Sequence, residues 1–139
     1  ALALAEHLRG AGWEVAVHAP ASGDDSVDYP EPAFAVALAV ASGAADRGVL
    51  VCGSGIGMSM AANKVDGVRA ALAHEAHAAQ MSRRHNDANI LCMAADGKAQ
   101  IDPIAIVDAW LAADFEGGRH QRRVDKITSI ERGVDPAGA

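Results

Sequence analysis

Three observations predict a single α/β domain with a parallel sheet spanning residues 1–139. Short apolar runs alternate with segments of helical periodicity, which is the pattern of βαβ units. The run "GVLVC" at 48–52 is rich in β-branched residues and Leu, as suits a strand covered on both faces. Half of the residues are hydrophobic but only 4% are aromatic, so the core must be built from Ala, Val, Leu, Ile and Met, side chains that let helices lie close to a sheet. A chain of 139 residues is long enough for one real core and too short to suggest two.

The elements follow in order. "LALAEHLRGAG" from Leu2 has helical apolar spacing, with Gly10 and Gly12 placed to stop it. "WEVAVHA" at 13–19 reads as a strand. The Asp-rich loop "PASGDDSVDYP" leads to a helix beginning near Glu31, with Pro32 tolerated in its first turn. After the strand at 48–52 come a helix from about Gly57 to Lys64, the short strand "VRAAL", a helix over "EAHAAQMSRRH" and the strand "NILCM". The last third is helical, with "DPIAIVDAWLAADF" and "RHQRRVDKITSIERG" separated by Gly117 and Gly118. A doubly wound domain normally opens with a strand near the sheet centre, whereas this sequence opens inside a helix. A first strand is therefore expected to be missing from it.

Charge and cysteine content narrow the function classes. A formal charge of −6 argues against nucleic acid as a general partner, since phosphate backbones require a basic surface. No run reaches the length of a membrane span and no signal peptide opens the chain, so a cytoplasmic location is expected. Cys52 and Cys92 lie in no CxxC pair, which disfavours structural zinc, and are expected to be reduced thiols.

Three stretches carry chemistry. Cys52 stands at the carboxyl end of a predicted parallel strand, where ligands bind in such sheets, and Gly53, Gly55 and Gly57 follow it around Ser54 and Ile56. Such a turn aims several N–H groups into one concavity and favours an anion. On spacing alone it is equally a packing turn beside a buried thiol, and it matches neither the dinucleotide fingerprint nor the P-loop. "SRRHNDANI" sets His85 and Asn86 between a helix and a strand; imidazole moves protons near neutral pH and an amide holds an oxyanion. A lone His in a polar loop is also commonly just solvated. In "GGRHQRRVDK", Arg119 and Arg123 share one helix face and Arg122 and Lys126 another, a grip for phosphate or a solvated face paired with Asp125 and Glu131. His74 and His77 lack a third ligand and read as a solvated face.

Together "DYP" at 28–30, "CGSGIGMSMAANKVDGVRAAL" at 52–72, "SRRHNDANIL" at 82–91 and "VDAWLAADFEGGRHQRRVDKITSIE" at 107–131 resemble the type B ribose-5-phosphate isomerase family, which includes the galactose-6-phosphate isomerase subunits. The resemblance implies a Rossmann-like, three-layer α/β/α fold, a homodimer or dimer of dimers, no metal and no cofactor. It implies aldose–ketose interconversion of a phosphorylated sugar through an enediolate. Cys52 would be the base, assisted by Ser54, with the amides from Gly53 through Gly55, Ile56 and Gly57 holding the enediolate oxygen. His85 would transfer a proton during ring opening, Asn86 would hold a substrate oxygen, and Arg119 and Arg123 would bind phosphate. The helix over 119–133 would serve both the dimer and the phosphate site, with phosphate ligands supplied across the subunit interface.

Two departures from that pattern stand out. The family's opening strand ends in an Asp-His pair that contacts the sugar, and no such segment is present. Asp96 stands where a phosphate-binding Arg is common, and a carboxylate facing phosphate repels it. A non-catalytic or partner-dependent subunit of the same fold is the competing expectation, and a redox role for Cys52 a weaker one, lacking a nearby resolving cysteine.

Overall fold

The computed structural model describes residues 1–19, 27–95, 97–98 and 100–138. The described elements are α1 (Leu2–Gly10), α2 (Pro30–Ala41), β1 (Gly48–Cys52), α3 (Ile56–Ala62), β2 (Ala70–Leu72), α4 (Ala76–Asn86), β3 (Ile90–Ala94), α5 (Pro103–Ala112) and α6 (Arg119–Glu131), followed by a short 3₁₀ turn at Pro136–Gly138. The three strands are parallel in the order β1-β3-β2, with Cys52 opposite Ala94 and Leu72 opposite Cys92.

The strand period of two sorts side chains between two helical layers. Leu91 and Met93 of β3 pack with Leu4 and Leu8 of α1, Ala79 of α4, and Ile106, Val107 and Trp110 of α5. Their neighbours Ile90 and Cys92 point the other way, to Ala33, Ala37 and Val40 of α2 and Met58 and Ala62 of α3. All five residues of β3 are buried, as expected of the central strand of an α/β/α sandwich.

Local chemistry sets the helix ends. Gly12 at φ +96° lets the Trp13 N–H reach back to the Leu8 carbonyl at 3.1 Å and closes α1. The Glu75 carboxylate accepts from the Ala78 N–H to open α4, and Asp102 accepts from the Ala105 N–H to open α5, with Pro103 in the first turn.

The strand expected over "WEVAVHA" is not formed. Residues 13–19 pair with no strand among the described residues, and within them only Val15 is half-buried; its carbonyl accepts from the Arg9 guanidinium at 2.9 Å. Residues 13–18 line a groove of about 610 Å³ whose far wall includes Gly48, Val49 and Val51 of β1. Apolar alternation shows that a segment has a face to bury, but a strand also needs a hydrogen-bonded neighbour, which the pattern does not supply.

Candidate active site: two half-sites at opposite ends of the sheet

At the carboxyl end of the sheet, Cys52 finishes β1 half-buried, and the Ala95 N–H donates to its carbonyl at 2.8 Å, tying the strand end to β3. The Gly55 N–H donates to Cys52 Sγ at 3.1 Å, so the turn that follows the thiol folds back to hold it. Gly55 is required twice over. Its φ is +77°, and a Cβ there would lie 2.6 Å from Leu72 Cδ1 and 2.9 Å from the Met93 backbone. At Gly57 a Cβ would fall 2.6 Å from the ring of Tyr29, which occupies that space. Gly53, Ser54 and Ile56 are exposed, and Ser54 Oγ accepts from the Ile56 N–H at 3.2 Å. Cys92 is fully buried one strand away; burial, with Cys52 nearby, pushes its thiol up to about 12, so it stays protonated.

The other predicted residues lie at the opposite end. Helix α4 runs back against the strand direction, so its last turn, carrying His85 and Asn86, sits where β3 begins. Asp87 follows in the left-handed region at φ +48°. That turn is clamped by two arginines. Buried Arg83 reaches Asp87 Oδ1 at 2.8 Å and the Ala88 carbonyl at 2.6 Å. Arg69 donates to Asp87 Oδ2 at 3.3 Å and through Nε to the carbonyls of Asn86 and Asp87.

The N-terminus of α6 meets this turn. Glu116 accepts from the Arg84 guanidinium at 3.1 and 3.2 Å, and its N–H donates to the Arg84 carbonyl. His85 and His120 stack with ring centroids 4.2 Å apart and planes within 7°. Both Nε2 atoms face Glu116 Oε1, His85 at 3.5 Å and His120 at 3.9 Å. Burial first, then the charges of His85 and Arg119, hold the His120 imidazole below its ordinary value. Arg119 and Arg123 are exposed, with no ion-pair partner among the described residues.

The alternative that the basic residues of α6 pair with Asp125 and Glu131 is not realised. Asp125 accepts from Gln121, Glu131 accepts from the Gly67 N–H at 2.8 Å, and Lys126 donates to the Pro136 carbonyl. Asp96 lies outside the described residues. His74 and His77 are exposed, as expected.

Thus the fold brings Cys52, Gly53, Ser54, Gly55, Ile56 and Gly57 together, and separately brings together His85, Asn86, Arg119 and Arg123. It does not join the two groups within one chain: the five residues of β1 separate their ends by roughly 15 Å at about 3.3 Å per residue.

Sequence reading assigned no role to Glu116 or His120. The available signal was their four-residue spacing around the double glycine, which puts both beside the first turn of α6. The nitrogen and oxygen donors of His85, Glu116 and His120 lie within 4.8 Å of one another, close enough for a metal to be considered. The charge balance opposes a cation, since Arg84 already holds Glu116 and the positive charges of Arg119 and Arg123 bear on His120.

The profile of the Ribose/Galactose Isomerase family matches residues 2–127. The ribose-5-phosphate isomerase B of Escherichia coli (strain K12) is 46% identical over 129 residues, covering 93% of this chain and 86% of that protein. The structure of the Clostridium thermocellum ribose-5-phosphate isomerase B superposes with a TM-score of 0.88 at 46% identity, covering 95% of this chain and 88% of the other. That of the Mycoplasma genitalium ribose-5-phosphate isomerase B, with ribulose-5-phosphate bound, superposes with a TM-score of 0.86 at 43% identity, covering 96% and 88%.

Proposed function

The chain belongs to the ribose/galactose isomerase family, and from that premise we propose that it interconverts an aldose phosphate and its ketose phosphate, with ribose 5-phosphate as the first substrate to test. The observation that carries the proposal is the division of the predicted machinery into two complementary halves. One offers a thiol among backbone donors; the other offers an imidazole and two guanidinium groups with no ion-pair partner among the described residues.

In this reading Arg119 and Arg123 bind the phosphate, and neither has an ion-pair partner among the described residues to compete with it. His85 transfers a proton as the furanose ring opens, and Asn86 holds a sugar oxygen. Cys52, as thiolate, removes the proton from the carbon beside the carbonyl and returns it to the neighbouring carbon. A sugar α-proton is far less acidic than a thiol, so the enediolate must be strongly stabilised. The amides of the 53–57 turn other than those of Gly55 and Ile56, which already donate to Cys52 Sγ and Ser54 Oγ, are suited to that, with Ser54 assisting. In this reading the activity belongs in the cytoplasm, where a phosphorylated sugar is retained.

Because the two halves are a sheet length apart, one copy of the chain needs a second to complete a site. In a homodimer, or a dimer of dimers, the carboxyl end of one sheet faces α6 and the last turn of α4 of the partner. Exposed apolar side chains near both halves support such contact: Ile56 and Met60 on α3, and Ile127 and Ile130 on α6.

The test is complementation. Cys52→Ala and His85→Ala are each expected to be inactive in ribose 5-phosphate isomerisation. Dissociated and reassociated one to one, the two should recover about a quarter of the unmodified activity, because half of the dimers are mixed and each mixed dimer holds one intact site of two. No recovery despite mixed dimers would show that each site draws on one chain. An active Cys52→Ala would remove the cysteine from the mechanism.

A further inference from the structure

Glu116 has no part in the mechanism above, yet its carboxylate is placed against a ring nitrogen of both stacked histidines. We propose that Glu116 is a positioning residue for His85: held by Arg84, it fixes the imidazole against His120 with the proton on Nε2, leaving Nδ1 free to exchange a proton with the sugar. The inference rests on the reading of His85 as the ring-opening group.

Four observations carry it. Glu116 is itself immobilised, by two guanidinium contacts at 3.1 and 3.2 Å and by its own N–H on the Arg84 carbonyl. Its oxygen lies nearer to His85 Nε2, at 3.5 Å, than to His120 Nε2, at 3.9 Å. The parallel ring of His120 at 4.2 Å stops His85 from turning away. His120 is largely buried, so its ring serves as a wall for His85. A carboxylate beside one ring nitrogen draws the N–H to that side, and the opposite nitrogen then faces outward as the proton acceptor.

The step being served balances as follows. The bond between the anomeric carbon and the ring oxygen breaks. The ring oxygen gains a proton, the anomeric hydroxyl loses one, and the electron pair left on that hydroxyl oxygen forms the carbonyl. His85 Nδ1 carries one of these protons; Glu116 neither gains nor loses one.

This predicts a defect confined to sugars that form a ring. An aldopentose 5-phosphate is mostly a furanose and must be opened, whereas an aldotetrose 4-phosphate has its ring-forming oxygen blocked and stays acyclic, as does its ketose. Glu116→Gln keeps an oxygen for Arg84 but loses the charge. It should lower kcat/KM for the ribose 5-phosphate and ribulose 5-phosphate pair about 10-fold in both directions, as the fixed equilibrium requires, a fraction of what general acid–base catalysis contributes. Interconversion of erythrose 4-phosphate and erythrulose 4-phosphate should stay within about 2-fold. His85→Asn should lose more on the pentose pair than on the tetrose pair. If His85→Asn shows this split and Glu116→Gln does not, Glu116 merely staples α6 to α4 and the inference is overturned. If His85→Asn shows no split, the ring-opening reading itself fails and the inference with it. Nitrogen-15 NMR of the unmodified protein gives a check independent of any variant: the His85 proton on Nε2 supports the inference, and its presence on Nδ1 in the neutral form overturns it.

Discussion

The two ends of the sheet are built by different physics. The carboxyl end, around Cys52, is shaped by excluded volume: Gly55 and Gly57 are where they are because a methyl group would strike Leu72, Met93 or Tyr29. The amino end, around His85, is shaped by charge: Arg69, Arg83 and Arg84 gather Asp87 and Glu116, and those acids aim the backbone and the imidazole. A steric packing is unforgiving of added atoms, whereas a charged network tolerates size and responds to protonation. The contrast also teaches where tolerance lies, since the sterically built end carries the proposed base and the charged end the proposed binding groups.

The sharpest way to break this contrast is at Cys52. Cys52→Ser should lower isomerase turnover by about 10³-fold or more, roughly 4 kcal/mol of barrier, while leaving the melting temperature within about a degree. Gly55→Ala should reveal the steric end in stability. Forcing a side chain to positive φ against Leu72 and the Met93 backbone should cost about 3 kcal/mol in denaturant unfolding. At the charged end, Asp87→Ala strands the guanidinium of buried Arg83 and should cost about 2 kcal/mol, read by the same titration. Arg123→Ala should leave folding untouched and raise the KM for the sugar phosphate about 10-fold, equivalent to about 1.4 kcal/mol.

The smallest effect expected is on the acid limb of stability. His120 is held below its ordinary value of 6.5, so the unfolded chain takes up this proton before the folded chain does. Stability from this group is therefore complete above about pH 6.5 and is lost as the pH falls toward the folded value. His120→Gln should flatten that limb of the melting-temperature profile, and an unchanged profile would remove His120 from the charged network.

The sequence made most of this architecture legible because β1, β3 and the helices each carry their own period and punctuation. Asp102 before Pro103, Gly12 after α1 and the apolar run at β1 all fall where those rules place them. Residues 13–19 did not yield to the same logic, because pairing is a property of two segments and only one was being read. The Cys52 turn was legible through its glycines, whose necessity is local. The separation of Cys52 from His85 was not, since the position of α4's end depends on the helix running back along the sheet. Glu116 escaped because its role depends on Arg84 and His85, 32 and 31 positions earlier.

Tyr29 has a further use. It is the sole tyrosine of the chain, and its half-exposed ring rests in the space left by the missing side chain of Gly57, in the turn that holds the thiol. The near-ultraviolet absorption of that one phenol is thus a built-in spectroscopic reporter on the glycine turn. A titration that perturbs the tyrosine band while the bands of Trp13 and Trp110 stay fixed would follow occupancy of this end of the sheet without any added dye.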